Sequence, residues 1–153
     1  MALTADDILT EVRVEIGDLD GDIYSDDDIK DTYIPAGLNM MKGRWLQEYS
    51  IDSAGTISPD PSDDDYNDRR AVVLHAALAV INAELRDSAR KAIYHSNVAG
   101  STDLRARFDA IKSMREDIIE ELEELYLRKL REQYESDMEF SEIRRSAIAF
   151  DHD

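Results

Sequence analysis

From Ser58 to Leu85 the chain reads SPDPSDDDYNDRRAVVLHAALAVINAEL. This run constrains the fold more than any other. Pro59 and Pro61 stiffen a loop that enters the acidic cluster Asp63, Asp64 and Asp65, and carboxylates there favour the positive end of a helix dipole. The residues that follow predict a helix over about 64–94. Leu74, Leu78, Ile81 and Leu85 form one stripe, continued by Ala89 and Ala92. Val73, Ala77 and Val80 lie beside it, and Ala76 and Ala83 widen it. A stripe this broad must be covered on more than one side, and its alanines let neighbouring helices approach closely. The apolar run 71–83 contains His75 and Asn82 and is too short to span a bilayer.

The rest of the chain supplies helices to cover that one. Thr4 precedes Ala5-Asp6-Asp7 as an N-cap. Ile8, Leu9, Val12 and Ile16 then recur at helical spacing up to Gly17, which predicts a first helix over about 4–16. Ser25-Asp26-Asp27-Asp28 is a second helix start, with Ser25 as cap and Asp28 reaching back. Ile29, Tyr33, Leu38, Met41, Trp45 and Tyr49 continue it as one stripe. Pro35 predicts a kink or break near Ile34, and Gly37 and Gly43 either loosen this helix or permit close packing. Trp45, the single tryptophan, reads as a core or interface anchor. Ile51 and Ile57 flank Ser53-Ala54-Gly55-Thr56, which allows a short hairpin near 50–58.

After a tight connection at 97–102, Ser101 or Thr102 caps a fourth helix over about 103–134. Leu104, Phe108, Ile111, Met114, Ile118, Leu122 and Leu125 form its main seam, at the spacing of an antiparallel helical hairpin with the third helix. A second set, Ile119, Leu127, Leu130 and Tyr134, faces elsewhere and needs the second helix or another subunit to cover it. Glu116 to Glu124 and Arg128 to Arg131 read as a solvated face. The fold class is therefore all-α: a four-helix bundle-like domain over 1–134 and an extended C-terminal tail over 135–153. In that tail Phe140, Ile143, Ile148 and Phe150 stand at uneven spacing among charges. They suit docking into a partner, or packing back on the chain's own domain.

Composition bears on function. The 153 residues carry a formal charge of −17. Residues 1–68 hold 18 acids against 4 bases, whereas 69–134 hold 11 against 12. The acidity thus belongs to the N-terminal half and the tail, and such a surface repels nucleic acid and anionic lipid. With no cysteine, a thiol nucleophile and thiolate metal sites are excluded. The start, MALTADD, has no signal-peptide pattern. Asp18, Asp20 and Asp22 alternate as in a calcium loop, but Ile23 stands where that loop needs glycine and Ile29 where it needs a bidentate glutamate. A turn with capping acids is the better reading. There is no phosphate loop, HExxH or GxSxG. His75, His95 and His152 are far apart, and His75 reads as a satisfied core histidine. Neither an enzyme nor a cofactor is expected.

One order of features is informative as a whole. A short amphipathic helix ends in Gly17-Asp18, Tyr24-Ser25-Asp26-Asp27-Asp28-Ile29 opens a second that carries Leu38-Asn39-Met40-Met41 and Trp45, and ISPDPSDDD leads into RRAVVLHAALAVI before a long acidic-apolar helix. Over about residues 4–134 this resembles the head–tail connector (adaptor, or head-completion) proteins of tailed bacteriophages. The resemblance implies a small helical bundle that assembles as a ring, usually of twelve subunits, beneath the portal. There it extends the DNA channel and joins head to tail. Its implied partners are copies of itself, the portal protein, a downstream tail or stopper protein, and genomic DNA passing without specific binding, with no membrane. Its implied location is the virion, and the host cytoplasm during assembly. Under that resemblance Ile119, Leu127, Leu130 and Tyr134 become a subunit interface, and Phe140, Ile143, Ile148 and Phe150 a portal-docking arm. The alternative from a different class is an acidic helical interaction protein, or DNA mimic, that binds a basic partner.

Overall fold

The computed structural model describes residues 3–61, 66–94 and 101–149, with side chains described over 3–61, 67–91 and 105–138. Four helical segments and one two-stranded hairpin make up the described residues. Helix α1 is Ala5–Ile16. The Asp7 carboxylate accepts from the Thr4 N–H at 2.8 Å and from its hydroxyl at 2.7 Å. Gly17, at φ 70°, ends the helix in the left-handed region, where a side chain would be strained. Ile8 and Val12 are wholly buried.

Helix α2 spans 26–41 and changes pitch on the way. A first turn, Asp26–Asp28, is capped by Ser25, whose Oγ accepts from the Asp28 N–H at 3.1 Å. Ile29–Tyr33 is π-helical, with the Ile34 N–H reaching back to the Ile29 carbonyl. Ile34–Met41 then resumes the α-helix with Pro35 in its first turn. Proline lacks the N–H that would continue the ladder and crowds the turn before it. The wider π turn absorbs that mismatch, so in place of the kink or break expected near Ile34 the helix runs on with a change of pitch.

The second helix is shorter than its stripe implies. It ends at Met41, the chain leaves the helical region at Lys42, and Gly43 turns at φ 72°. Trp45 and Tyr49 therefore lie beyond the helix, yet both are buried. Their burial depends on Asp68 of the next helix: the Trp45 Nε1–H donates to Asp68 Oδ1 at 3.1 Å, and the Tyr49 hydroxyl donates to Asp68 Oδ2. The hairpin follows, with β1 (Ser50–Ile51) antiparallel to β2 (Ile57–Ser58). Asp52 Oδ1 accepts from the N–H groups of Ala54 and Thr56, both at 2.9 Å. The N-terminal residues add to the hairpin, because Ile57 donates to the Leu3 carbonyl and Ala5 to that of Gly55.

Helix α3, Tyr66–Tyr94, is the axis. Every residue from Ala71 to Ile81 is buried, and α3 packs on each of the other three helices. Its small residues set the spacing. A Cβ built on Gly37 of α2 would stand 2.5 Å from the Ala76 backbone nitrogen, so the two helix backbones touch there and only glycine fits.

Helix α4, Ser101–Ala149, runs antiparallel to α3. Arg107 pairs with Glu84, Arg70 with Glu121, and Arg128 with Asn67. Ile118, Leu122 and Leu125 are buried on α3. Arg70 ties three helices together: its Nε and Nη2 grip Glu121 at 2.7 and 2.9 Å, and its Nη1 reaches Glu15 of α1 at 2.7 Å. Hydrogen bonding to Glu121, joined by Glu15, holds that guanidinium above its ordinary pKa. The expected end of the fourth helix at 134 is corrected, since the helix continues through Ala149. No glycine or proline interrupts 135–149, and Glu, Met, Arg and Ala there sustain a helix without a regular apolar stripe. The acids Asp63, Asp64 and Asp65, His95 with most of the 97–102 connection, Phe150 and His152 lie outside the described residues.

Candidate functional site

Beyond Leu125 helix α4 carries a second face that the body does not cover. Leu127 is 60% exposed and Tyr134 is 67% exposed, with Leu130 and Met138 also exposed. Their spacing of three, four and four residues puts them on one side of the helix. All residues of 131–138 are exposed. The base of this segment is tethered: Lys129 Nζ lies 3.1 Å from Asp68 Oδ1, and Arg128 reaches Asn67.

The interface set read from the sequence thus divides. Ile119 is half-buried and packs against the core, while Leu127, Leu130 and Tyr134 face solvent. Phe140, Ile143 and Ile148 sit on the helical continuation, whose side chains lie outside the described set, as Phe150 does altogether.

Ile119 borders a feature that the sequence reading did not find, a cleft of about 540 Å³ between the 40–45 segment, α3 and α4. Its wall is aromatic, with the Trp45 and Tyr126 rings 6.1 Å apart and tilted by 52°. Arg44 and Arg115 bring two guanidiniums to it, and Glu123 one carboxylate. Arg115 Nε donates to Asn82 Oδ1 at 2.9 Å, and neither arginine forms an ion pair with a described residue.

His75 is buried at the back of the cleft, with Nδ1 2.7 Å from the Ala71 carbonyl. A carbonyl only accepts, so Nδ1 carries the proton. Burial holds this imidazole below its ordinary pKa, and the Arg44 charge acts the same way. No buried side-chain nitrogen among the described residues lacks a partner. Nε2, with no hydrogen-bond partner among the described residues, is therefore not sealed from solvent.

On the other edge of the α3–α4 seam, the 17–24 turn is fixed from within. Arg13 and Asp18 are both buried. Arg13 Nη1 donates to Asp18 Oδ2 at 2.9 Å and Nη2 to the Tyr24 carbonyl at 2.9 Å. Asp18 accepts in turn from the backbone N–H groups of Ile23 and Tyr24 at 3.2 and 3.0 Å. Burial pushes the Asp18 carboxyl up, but those two N–H donors and Arg13 outweigh it and hold it below its usual value. The turn therefore uses Asp18 as an internal acceptor. It presents Leu19 (67% exposed) and Ile23 (61% exposed) to solvent, with Asp20 and Asp22 exposed between them. The sequence signal was available: two large apolar residues in an acidic turn have no helical register that buries them.

No group of His, Asp and Glu among the described residues could hold a metal ion, and no described helix is long and apolar enough to cross a membrane. Comparison with protein-family models, with curated proteins and with solved structures finds no match to this chain.

Proposed function

We propose that this chain is a structural subunit of the head–tail connector type. It associates with copies of itself into a ring beneath a portal, extends the DNA channel and joins head to tail. The observation that carries the reading is the exposed Leu127–Leu130–Tyr134 face on α4, outside a core that closes without it. Burying such a face drives association at about 25 cal/mol per Å² of apolar surface, before the costs of binding. The acidity of residues 1–68 suits a wall along which DNA slides without sticking. The arm 135–153, with Phe140, Ile143, Ile148 and Phe150, reaches the portal, and a tail or stopper protein meets the opposite side of the ring. No catalytic step is assigned to the chain.

Electron microscopy of the purified protein, alone and with a portal, tests this reading. Rings with a central channel are expected. A persistent monomer that competes with DNA for a basic protein would identify an acidic interaction protein instead.

A further inference from the structure

We infer that the 19–23 knuckle of one copy docks into the Trp45–Tyr126 cleft of the next, so that copies join head to tail. The inference rests on the self-association proposed above and adds, beside the α4 face, a second contact between copies. The knuckle offers two apolar side chains, Leu19 and Ile23, with two carboxylates, Asp20 and Asp22, between them. The cleft offers the reciprocal chemistry: an aromatic wall and two guanidiniums from Arg44 and Arg115 against the single carboxylate of Glu123. In a chain of net charge −17, such a surplus of cations at an apolar cleft favours an acidic, apolar occupant. The knuckle has that composition.

The Arg13–Asp18 pin matters to affinity. A turn already held in shape loses little conformational freedom on docking. The pin also explains why a buried ion pair is spent on a turn whose apolar side chains point outward.

Position completes the argument. Ile23 and Tyr24 border Val80, Ile81, Ile111 and Met114 on one edge of the α3–α4 seam. The cleft uses Leu78, Asn82, Arg115 and Ile119 on the other. Two different surfaces on opposite edges make a heterologous contact, which propagates from copy to copy and closes into a ring when the rotation permits.

The absence of cysteine gives a direct test. Full-length Ile23→Cys and Ile119→Cys proteins are mixed and oxidised. A mixed disulfide dimer is expected, far in excess of what either protein forms alone. In parallel, Asp20→Lys/Asp22→Lys and Arg44→Glu/Arg115→Glu proteins should each lose self-association by roughly a hundredfold, and their mixture should pair. Circular dichroism melts check that each variant is folded. If wild-type protein associates but the disulfide does not form and the charge variants associate undiminished, the knuckle–cleft pairing is overturned while self-association stands. If wild-type protein stays monomeric and uncrosslinked, alone and with a portal, both fall.

Discussion

Arg13 Nη1 stands 2.9 Å from Asp18 Oδ2, and both side chains are buried at the end of α1. This pair holds the turn that carries Leu19 and Ile23. Removing one partner of a buried pair leaves an uncompensated charge, so Arg13→Ala should destabilise the protein by about 3–5 kcal/mol. Asp18→Asn keeps an acceptor and should cost less. Urea unfolding gives the totals. Hydrogen exchange at the Ile23 and Tyr24 amides, which donate to Asp18, should speed up in both variants.

Gly37→Ala tests the close passage of α2 over α3. The added methyl meets the backbone of His75 and Ala76 rather than a movable side chain. Relief requires the helices to part, and overpacking of this kind costs about 1–3 kcal/mol. A melting temperature equal to wild type would show that the helices do not touch there.

Asp68 is the acceptor shared by Trp45 and Tyr49 and lies beside Lys129. Asp68→Ala strips the buried Trp45 N–H of its acceptor and should cost about 1–3 kcal/mol. Trp45 is the only tryptophan, so its fluorescence reports the site alone. A red shift in the folded variant is expected as the 42–49 segment loosens.

Two pH windows follow from the buried groups. His75 sits below its ordinary pKa of 6.5. Well above that value the folded and unfolded chains are both neutral at this site and nothing there depends on pH. As pH falls below 6.5 the unfolded chain takes the proton first, so stability declines. Asp18 acts lower. Its folded carboxyl titrates below the ordinary 3.8, so its contribution is present above 3.8 and is lost as pH falls through that value toward the folded one. Denaturant midpoints across pH should decline below 6.5 in wild type and less in His75→Gln. NMR of the His75 ring should show it less protonated at pH 6.5 than a free imidazole.

Much of the scaffold was legible because local chemistry and tertiary packing agree there. Thr4 and Gly17 bracket α1, Ser25 caps α2, and the broad stripe around Leu74 and Leu78 requires a helix covered on several sides, as α3 is. The misreadings came where one level of information overrode another. Trp45 and Tyr49 continue the stripe of α2 in register, yet Gly43 turns the chain first and hydrogen bonds to Asp68 bury them by another route. Phe140, Ile143 and Ile148 stand at uneven spacing and read as a tail, whereas the glycine- and proline-free run of Glu, Met, Arg and Ala favours the helix that continues past Tyr134. The cleft was not legible at all. Arg44, His75, Asn82 and Arg115 come from three separated segments, and only packing brings them together.

The central claim is that this chain associates with itself through the face of α4 beyond its core. Sedimentation velocity over a concentration and salt series, on wild type and on Leu127→Ser/Tyr134→Ser, tests it most directly. Both residues are exposed, so the variant should melt like wild type. Wild type should form a concentration- and salt-dependent oligomer, and the variant should stay monomeric under the same conditions. A wild-type protein that sediments as a monomer throughout, or a variant that assembles as well as wild type, would contradict the account.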